Sequence, residues 1–284
     1  MRQSLDVQSA GTHGSRLTPE EFSFISDLAK REFGLNLTPA KMPLVHSRIS
    51  KRMRELGLTE FGAYRRMLEA RDSAEEETKL LTALTTNVTS FFRENHHFEH
   101  LKRVAPQLLA NAKRSRSKLR VWSAACSTGQ EPFSVAMSLA AVCTDTQFHD
   151  VEIVGSDIDP NVIEVARSAT YPNSELASIP KGVADRFTQE ASNDRFQIRN
   201  EVRRKVSFGT ANLVKASGSM QMFDFIFCRN AAIYFDQETQ AHLWEKLARS
   251  LKPGGYLYIG HSERIHGKAA NMLQNSGVTI YTRV

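Results

Sequence analysis

Val121-Trp122-Ser123-Ala124-Ala125-Cys126-Ser127-Thr128-Gly129-Gln130-Glu131-Pro132 decides the reading of this chain, taken together with Val154-Gly155-Ser156-Asp157-Ile158-Asp159 downstream. The first stretch is an apolar strand that breaks into very small residues and then opens a helix. The second is a short strand that ends in carboxylates. Small residues let a ligand approach the backbone, and a helix start offers free N–H groups. A carboxylate at the tip of the neighbouring strand can accept both hydroxyls of a ribose, the arrangement used in nucleotide-type α/β sites.

The loop Ser123–Glu131 fits neither a Walker phosphate loop nor a G-x-G-x-x-G turn, because it lacks the lysine of one and two glycines of the other. A triphosphate or NAD is therefore disfavoured. A nucleoside cofactor without phosphates, such as S-adenosylmethionine, needs no phosphate cradle. It would leave Ser123 and Ala124 against the ligand and Asp157 on the ribose. Glu131 either attracts the cationic methionine end or serves the helix dipole. Asp159 reads as the cap of the next helix, with Pro160 in its first position.

Working outward, strand-like and helix-like runs alternate after about Lys118. The strands are Leu119–Ala124, Val151–Ser156 and Phe223–Cys228; the helices are Gln130–Val142, Asn161–Ser168 and Gln237–Leu251. Such alternation predicts a mostly parallel sheet with helices on both faces, ligands sitting beyond the carboxyl ends of the strands. Leu251–Gly260 reads as a helix end, a glycine turn and a strand. Between about 174 and 208 the alternation is interrupted. Arg195–Arg199 and Val202–Phe208 repeat with period two, with Asn200-Glu201 as the turn, so a small antiparallel insertion on the main sheet is expected.

Upstream, residues 1–16 are polar and read as a disordered tail. Residues 17–85 read as a helical bundle. Thr18-Pro19-Glu20-Glu21 is a capping box that opens a helix running to about Phe33. Thr38-Pro39 opens a second helix, which ends near Gly57 and carries Met42, Val45, Ile49, Met53 and Leu56 at helical spacing. Thr59 and Ser73 read as caps of two more helices, the last led by Glu75, Glu76 and Glu77. Residues 86–117 would link the bundle to the sheet domain at 118–284.

The 284 residues carry 37 Lys+Arg against 31 Asp+Glu, a net charge of +6 that permits an acidic partner without naming one. No apolar run approaches the length of a bilayer-spanning helix and the start has no apolar signal core, which argues against export and for the cytoplasm. Cys126, Cys143 and Cys228 have no metal spacing; they read as reduced thiols, and no metal is expected.

Ala83-Leu84-Thr85-Thr86-Asn87-Val88-Thr89-Ser90-Phe91-Phe92-Arg93-Glu94, Trp122–Pro132, Phe227-Cys228-Arg229-Asn230-Ala231-Ala232-Ile233-Tyr234-Phe235 and Gly260-His261-Ser262-Glu263 occur in the order found in chemotaxis receptor methyltransferases. From about Leu17 to the C-terminus the chain resembles this CheR family. The resemblance implies an α/β fold: a Rossmann-like S-adenosylmethionine-dependent methyltransferase sheet with an antiparallel β-subdomain, preceded by a small all-α domain. It implies S-adenosylmethionine as donor, S-adenosylhomocysteine as product and chemoreceptor glutamates as acceptors. By position, Asn87, Thr89, Arg93, Glu131, Asp157, Asn212, Leu213, Arg229 and Asn230 would line the donor site, with Arg93 and Tyr234 as catalytic candidates. Glutamate ionises near pH 4.3, so no general base is required, and catalysis would rest on proximity and alignment.

The partners expected are the cytoplasmic helices of transmembrane chemoreceptors, met by a monomer. Arg48, Lys51, Arg52 and Arg54 on the second helix form a candidate docking surface for an acidic receptor helix. Family members that tether to a receptor's C-terminal peptide share a glycine-containing loop in the β-subdomain. The matching loop here, Glu190–Asp194, is shorter and has no glycine, so tethering is not expected. Two other functions remain open on the sequence: a nucleic-acid methyltransferase using the basic helix on phosphates, and a non-catalytic protein that senses S-adenosylmethionine and binds a partner.

Overall fold

The computed structural model describes residues 17–70, 72–215 and 222–284, so the tail expected at 1–16 lies outside the described residues. The chain divides into two compact units, the first ending at Thr85 and the second starting at Thr86, with Glu32–Leu35 counted in the second.

The first unit is all-helical: α1 Pro19–Phe33, a short 3₁₀ turn Pro39–Lys41, α2 Met42–Glu55, α3 Phe61–Leu68 and α4 Ala74–Leu84. The Thr18 capping box is present in both directions. Glu21 N–H donates to Thr18 Oγ1 (3.2 Å) and Thr18 N–H to Glu21 Oε2 (2.8 Å). Val45 and Ile49 of α2, Tyr64 and Leu68 of α3, and Leu80, Leu81 and Leu84 of α4 are buried. Two expected caps are corrected. Glu60, not Thr59, precedes α3 in extended conformation, and no side chain caps that helix. Ser73 does precede α4, but its hydroxyl donates to the Glu77 carboxylate (2.7 Å) instead of accepting a backbone N–H.

The second unit contains α5 His96–Arg114, β1 Leu119–Ala124, α6 Gln130–Val142, α7 Asp145–His149, β2 Val151–Asp157, α8 Pro160–Ser168, β3 Thr170–Pro172, α9 Lys181–Phe187, β4 Thr188–Ala191, β5 Arg195–Ile198, α10 Asn200–Arg203, β6 Val206–Thr210, β7 Phe223–Cys228, α11 Gln237–Ser250, β8 Leu251–Ile259, β9 Leu273–Gly277 and β10 Ile280–Arg283. Seven strands form one sheet in the order β6-β2-β1-β7-β8-β10-β9. The first five are parallel; β10 runs antiparallel to β8, and β9, antiparallel to β10, closes that edge. From β1 the chain builds leftward to β2 and β6, then returns to the other side with β7. The switch point therefore falls between the carboxyl ends of β1 and β7, where open α/β sheets hold their ligands.

Both faces of the sheet are covered, which is why β7 is buried at every position. Phe225 and Phe227 pack into one cluster with Phe98 of α5 and Phe133 of α6. Ile226 and Cys228 point the other way, against Leu243, Trp244 and Leu247 of α11. The Leu251–Gly260 segment is strand from its first residue, with a register shift opposite Phe223–Phe225, not a helix end followed by a turn.

The expected insertion is rearranged. Arg195–Ile198 and Val206–Thr210 do not form a hairpin. β5 is the centre of a separate antiparallel sheet, β3-β5-β4. β6 is a parallel edge strand of the main sheet, paired with β2 from Ile153↔Val206 to Asp157↔Thr210. The supposed turn Asn200-Glu201 belongs to α10, and Val202 is buried. Tyr171 ties the small sheet to the main one: its buried side chain donates through the hydroxyl to Thr128 O (2.8 Å). Gly129 sits under that contact at φ 95°, and a Cβ there would come within 2.9 Å of both Tyr171 Oη and Ala166 Cβ. Glycine is needed for backbone conformation and close approach together.

Candidate active site

The loop from β1 into α6 alternates through the left-handed region at Ala125 (φ 61°), Ser127 (φ 49°) and Gly129 (φ 95°). Two non-glycine residues there store strain, which must be held by neighbours. The neighbour is β2: Cys126 N–H donates to Ser156 O (2.9 Å) and Ser127 N–H to Asp157 Oδ2 (2.8 Å). Asp157 Oδ1 accepts from Asp159 N–H (3.1 Å). The Asp157 carboxylate is thus fixed at the tip of β2, and burial pushes its pKa up against the lowering effect of these N–H groups. Asp159 caps α8 as expected, accepting from Asn161 N–H (2.9 Å), and its second oxygen accepts from Asn87 Nδ2 (3.3 Å).

At the switch point, Ser123 donates to Glu131 Oε1 (2.6 Å) and Arg229 Nη1 lies 3.4 Å from Glu131 Oε2. Arg229 Nε faces Glu94 Oε2 at 3.7 Å, and its Nη2 donates to Arg93 O. The Arg229 side chain is 3 % exposed and those of Glu94 and Glu131 are 13 % exposed. Burial raises the Glu131 pKa, partly offset by Arg229. Ala124 is fully buried within the α11-side cluster.

The segment after Thr86 lies across these strand ends. Ser127 Oγ donates to Asn87 O (3.0 Å), Arg93 Nη1 to Val88 O (3.0 Å) and Tyr234 Oη to Thr86 O (3.4 Å). Thr89 is half-buried in the same segment. Asn212 and Leu213 follow β6, where Ala211 N–H donates to Asp157 O (2.8 Å). Asn212 is rigid, its Oδ1 accepting from Val214 N–H (2.9 Å) and Lys215 N–H (3.1 Å) and its Nδ2 donating to Glu32 O (3.2 Å). Leu213 O accepts from Lys246 Nζ (2.8 Å).

Two residues quoted in the sequence motifs acquire unforeseen positions. Glu94 joins the Arg229 pair. Glu263 is buried under the β7 turn, where it accepts from Gly260 N–H (2.6 Å), Asn230 N–H (3.1 Å) and Ala232 N–H (2.8 Å), holding Asn230 at φ 58°. The signal was a lone acidic residue just past a central strand.

The proposed docking quartet is not brought together as one surface. Arg52 Nε and Nη2 donate to Glu76 Oε1 (2.9 Å) and Oε2 (2.7 Å), and Tyr64 Oη donates to the same Oε1 (3.0 Å). Arg48 Nη1 donates to Ala83 O (2.7 Å) and to Thr85 O, serving the free carbonyls at the end of α4. Lys51 and Arg54 remain exposed.

Residues 87–282 match the family model "CheR methyltransferase, SAM binding domain", and residues 20–85 match "CheR methyltransferase, all-alpha domain". The chain belongs to the CheR methyltransferase family. Similar curated proteins are the probable chemotaxis protein methyltransferase of Rhizobium etli, 40 % identical over 87 % of this chain and 94 % of that one. The chemotaxis protein methyltransferase of Escherichia coli is 39 % identical over 87 % of this chain and 85 % of its own length. Chemotaxis protein methyltransferase 2 of Pseudomonas aeruginosa is 38 % identical over 96 % of both chains. The CheR assignment bears out the expected fold class and makes the chain an S-adenosylmethionine-dependent methyltransferase of chemotaxis; the nucleic-acid and non-catalytic alternatives are not favoured. No helix among the described residues is long and apolar enough to cross a membrane.

The CheR donor fits the residues present. Glu94 and Glu131 flank the guanidinium of Arg229, and burial raises both Glu131 and, at the tip of the neighbouring strand, Asp157. Such a set is short of positive charge, which a sulfonium and an α-ammonium bring.

Proposed function

We propose that this enzyme methylates glutamate side-chain carboxylates on the cytoplasmic helices of transmembrane chemoreceptors, forming methyl esters. The observation that carries the reading is the Ser123–Glu131–Arg229 cluster beside Asp157 at the carboxyl ends of β1, β7 and β2. S-adenosylmethionine, when bound, supplies a methyl group on a cationic sulfur. Asp157 would take the ribose hydroxyls. Glu131 and Arg229 would hold the amino-acid end, with Ser123 and Ala124 beneath it. Asn87, Thr89, Asn212, Leu213 and Asn230 would form the remaining walls.

Arg93 and Tyr234 are the groups assigned to align the acceptor carboxylate. Each is already anchored through the segment that starts at Thr86. Among the described residues Arg93 donates to a backbone carbonyl and is ion-paired to no carboxylate, so it can reach an incoming anion without breaking such a pair there. Alignment of two reactants that need no proton transfer can supply most of the rate, with effective molarities of roughly 10⁵ M or more. Too strong an Arg93–carboxylate pair would stabilise the ground state as much as the transition state, so its role is orientation.

For docking, the reading narrows from four residues to Lys51 and Arg54, since Arg48 and Arg52 serve the helical unit's own structure. The β4–β5 turn is tight, with Asn193 (φ 61°) and Asp194 (φ 54°) in place of glycines, which supports recognition without a tethered receptor tail. The test is incubation with receptor-containing membranes and labelled donor. Base-labile label is expected, and should be lost in Asp157→Ala and strongly reduced in Arg93→Ala.

A further inference from the structure

The small inserted sheet touches the donor loop at two places, and neither contact enters the roles given above. Tyr171 of β3 is 1 % exposed and donates from Oη to Thr128 O (2.8 Å). Glu175, in the 3₁₀ turn Asn173–Ser178 that follows β3, accepts from Gln130 Nε2 (3.1 Å). Gln130 in turn accepts at Oε1 from Thr128 Oγ1 (2.8 Å). The insertion therefore grips Thr128 through its backbone and, by way of Gln130, through its side chain.

The Thr128–Gly129 peptide is fixed on both sides, since Gly129 N–H donates to Cys126 O (3.1 Å). Just before it, Ser127 N–H meets Asp157; just after it, Glu131 meets Ser123 and Arg229. A rotation of this one peptide moves both donor contacts. The left-handed Ala125 and Ser127 give the loop a reason to rotate, because strained backbone persists only while its surroundings over-determine it. Packing alone has no use for the Tyr171 hydroxyl. The ring lies among Phe91 (4.9 Å), Phe196 (5.8 Å) and Phe133 (6.4 Å), whose side chains carry no polar atom. A buried hydroxyl is unfavourable unless it is bonded, so phenylalanine would fill the same space at lower cost.

We propose that Tyr171 is a positioning residue for the donor, seconded by Glu175, so that the inserted sheet sets the affinity for S-adenosylmethionine. This role rests on the reading that Asp157, Glu131 and Arg229 hold the donor. The hydroxyl and the ring of Tyr171 act on different partners. The hydroxyl holds the donor loop. The ring meets Phe91 edge to face, and Phe91 lies two residues before Arg93. Phe92 N–H donates to Ser134 Oγ (3.0 Å), which donates to Gln130 O (2.7 Å), so the Arg93 segment keeps its own hold on α6. Removing the hydroxyl alone therefore loosens the donor and leaves the acceptor side in place.

The test is calorimetric titration of the full chain with S-adenosylhomocysteine, paired with steady-state methylation of receptor-containing membranes. Tyr171→Phe should weaken S-adenosylhomocysteine binding about three- to tenfold, the worth of one hydrogen bond. KM for S-adenosylmethionine should rise by the same factor while kcat stays within about twofold. Glu175→Ala, at a half-buried position, should weaken binding about two- to fivefold. Glu190→Ala, exposed on β4 of the same sheet, should leave it unchanged. A merely structural Tyr171 would lower the melting temperature of Tyr171→Phe without moving the donor constants. A Tyr171→Phe protein that binds S-adenosylhomocysteine as the parent does, or that loses kcat with KM unchanged, would overturn the role. Asp157→Ala that binds as the parent does would instead overturn the donor site itself.

Discussion

Removing the Arg52 guanidinium separates a docking role from a structural one. In the folded chain the Glu76 side chain is 7 % exposed and takes two donors from Arg52 and one from Tyr64. Arg52→Ala would leave that carboxylate buried with only the phenol hydroxyl. Deleting one partner of a buried ion pair costs about 3–5 kcal/mol. The Arg52 side chain is 16 % exposed, so water can reach the vacancy and lower the cost to about 2–4 kcal/mol. For a helical unit of this size each kcal/mol shifts the midpoint by about 4–8 °C, giving a fall of roughly 8–32 °C. The paired change Arg52→Met with Glu76→Leu removes both charges and should cost far less, chiefly about 1 kcal/mol for the stranded Tyr64 hydroxyl. Lys51→Ala and Arg54→Ala should stay within about 0.5 kcal/mol of the parent. Thermal unfolding followed by circular dichroism reads all four proteins. If Arg52→Ala melts with the parent, or the double variant is no more stable than the single one, the ion pair does not hold the unit together.

Glu263→Gln keeps the shape under the β7 turn but sets an amide N–H₂ against at least one of the three backbone donors. A loss of about 2–4 kcal/mol in stability is expected, together with weaker S-adenosylhomocysteine binding, and an unchanged denaturation midpoint would contradict the role given to Glu263. Donor binding should also depend on pH. Burial raises Glu131 and Asp157 in the free protein, so each holds a proton to higher pH than an ordinary carboxylate. A cationic donor brings both back down, so binding expels protons in that window and affinity climbs with pH until both groups are ionised. Calorimetry of S-adenosylmethionine binding in two buffers of different ionisation enthalpy should report proton release on the acid side; proton uptake there would reverse the reasoning.

How far the fold is legible in the chain varies with the kind of interaction. β1 and β7, and the helix Gln130–Val142, carry their limits in runs of apolar residues bounded by small or polar ones, and the structure returns the same boundaries. Period-two alternation in Val202–Phe208 speaks of a half-buried strand but not of its partner. A parallel edge strand and one arm of a hairpin have the same alternation, and only the space beside β2 chooses between them. The basic face of α2 misleads for a similar reason. Arg52 finds its counter-charge 24 residues on, in a glutamate whose place at a helix start already gave it a sufficient explanation. At the candidate site the strand ends and Asp157 are readable because small residues and a terminal carboxylate have few structural uses together. Glu94 and Glu263 are not, since each lies in a motif whose meaning depends on which turn of the sheet it folds under.

The central claim is methyl transfer to receptor glutamates from a donor held by Asp157 and aligned with the help of Arg93. Its most direct test is mass spectrometry of purified receptor signalling helices after incubation with S-adenosylmethionine and the enzyme. Base-labile additions of one methyl group on glutamate side chains are predicted, absent with Asp157→Ala and strongly reduced with Arg93→Ala although both variants fold. Methylation on any other residue type, or esters formed equally well by both variants, would contradict it.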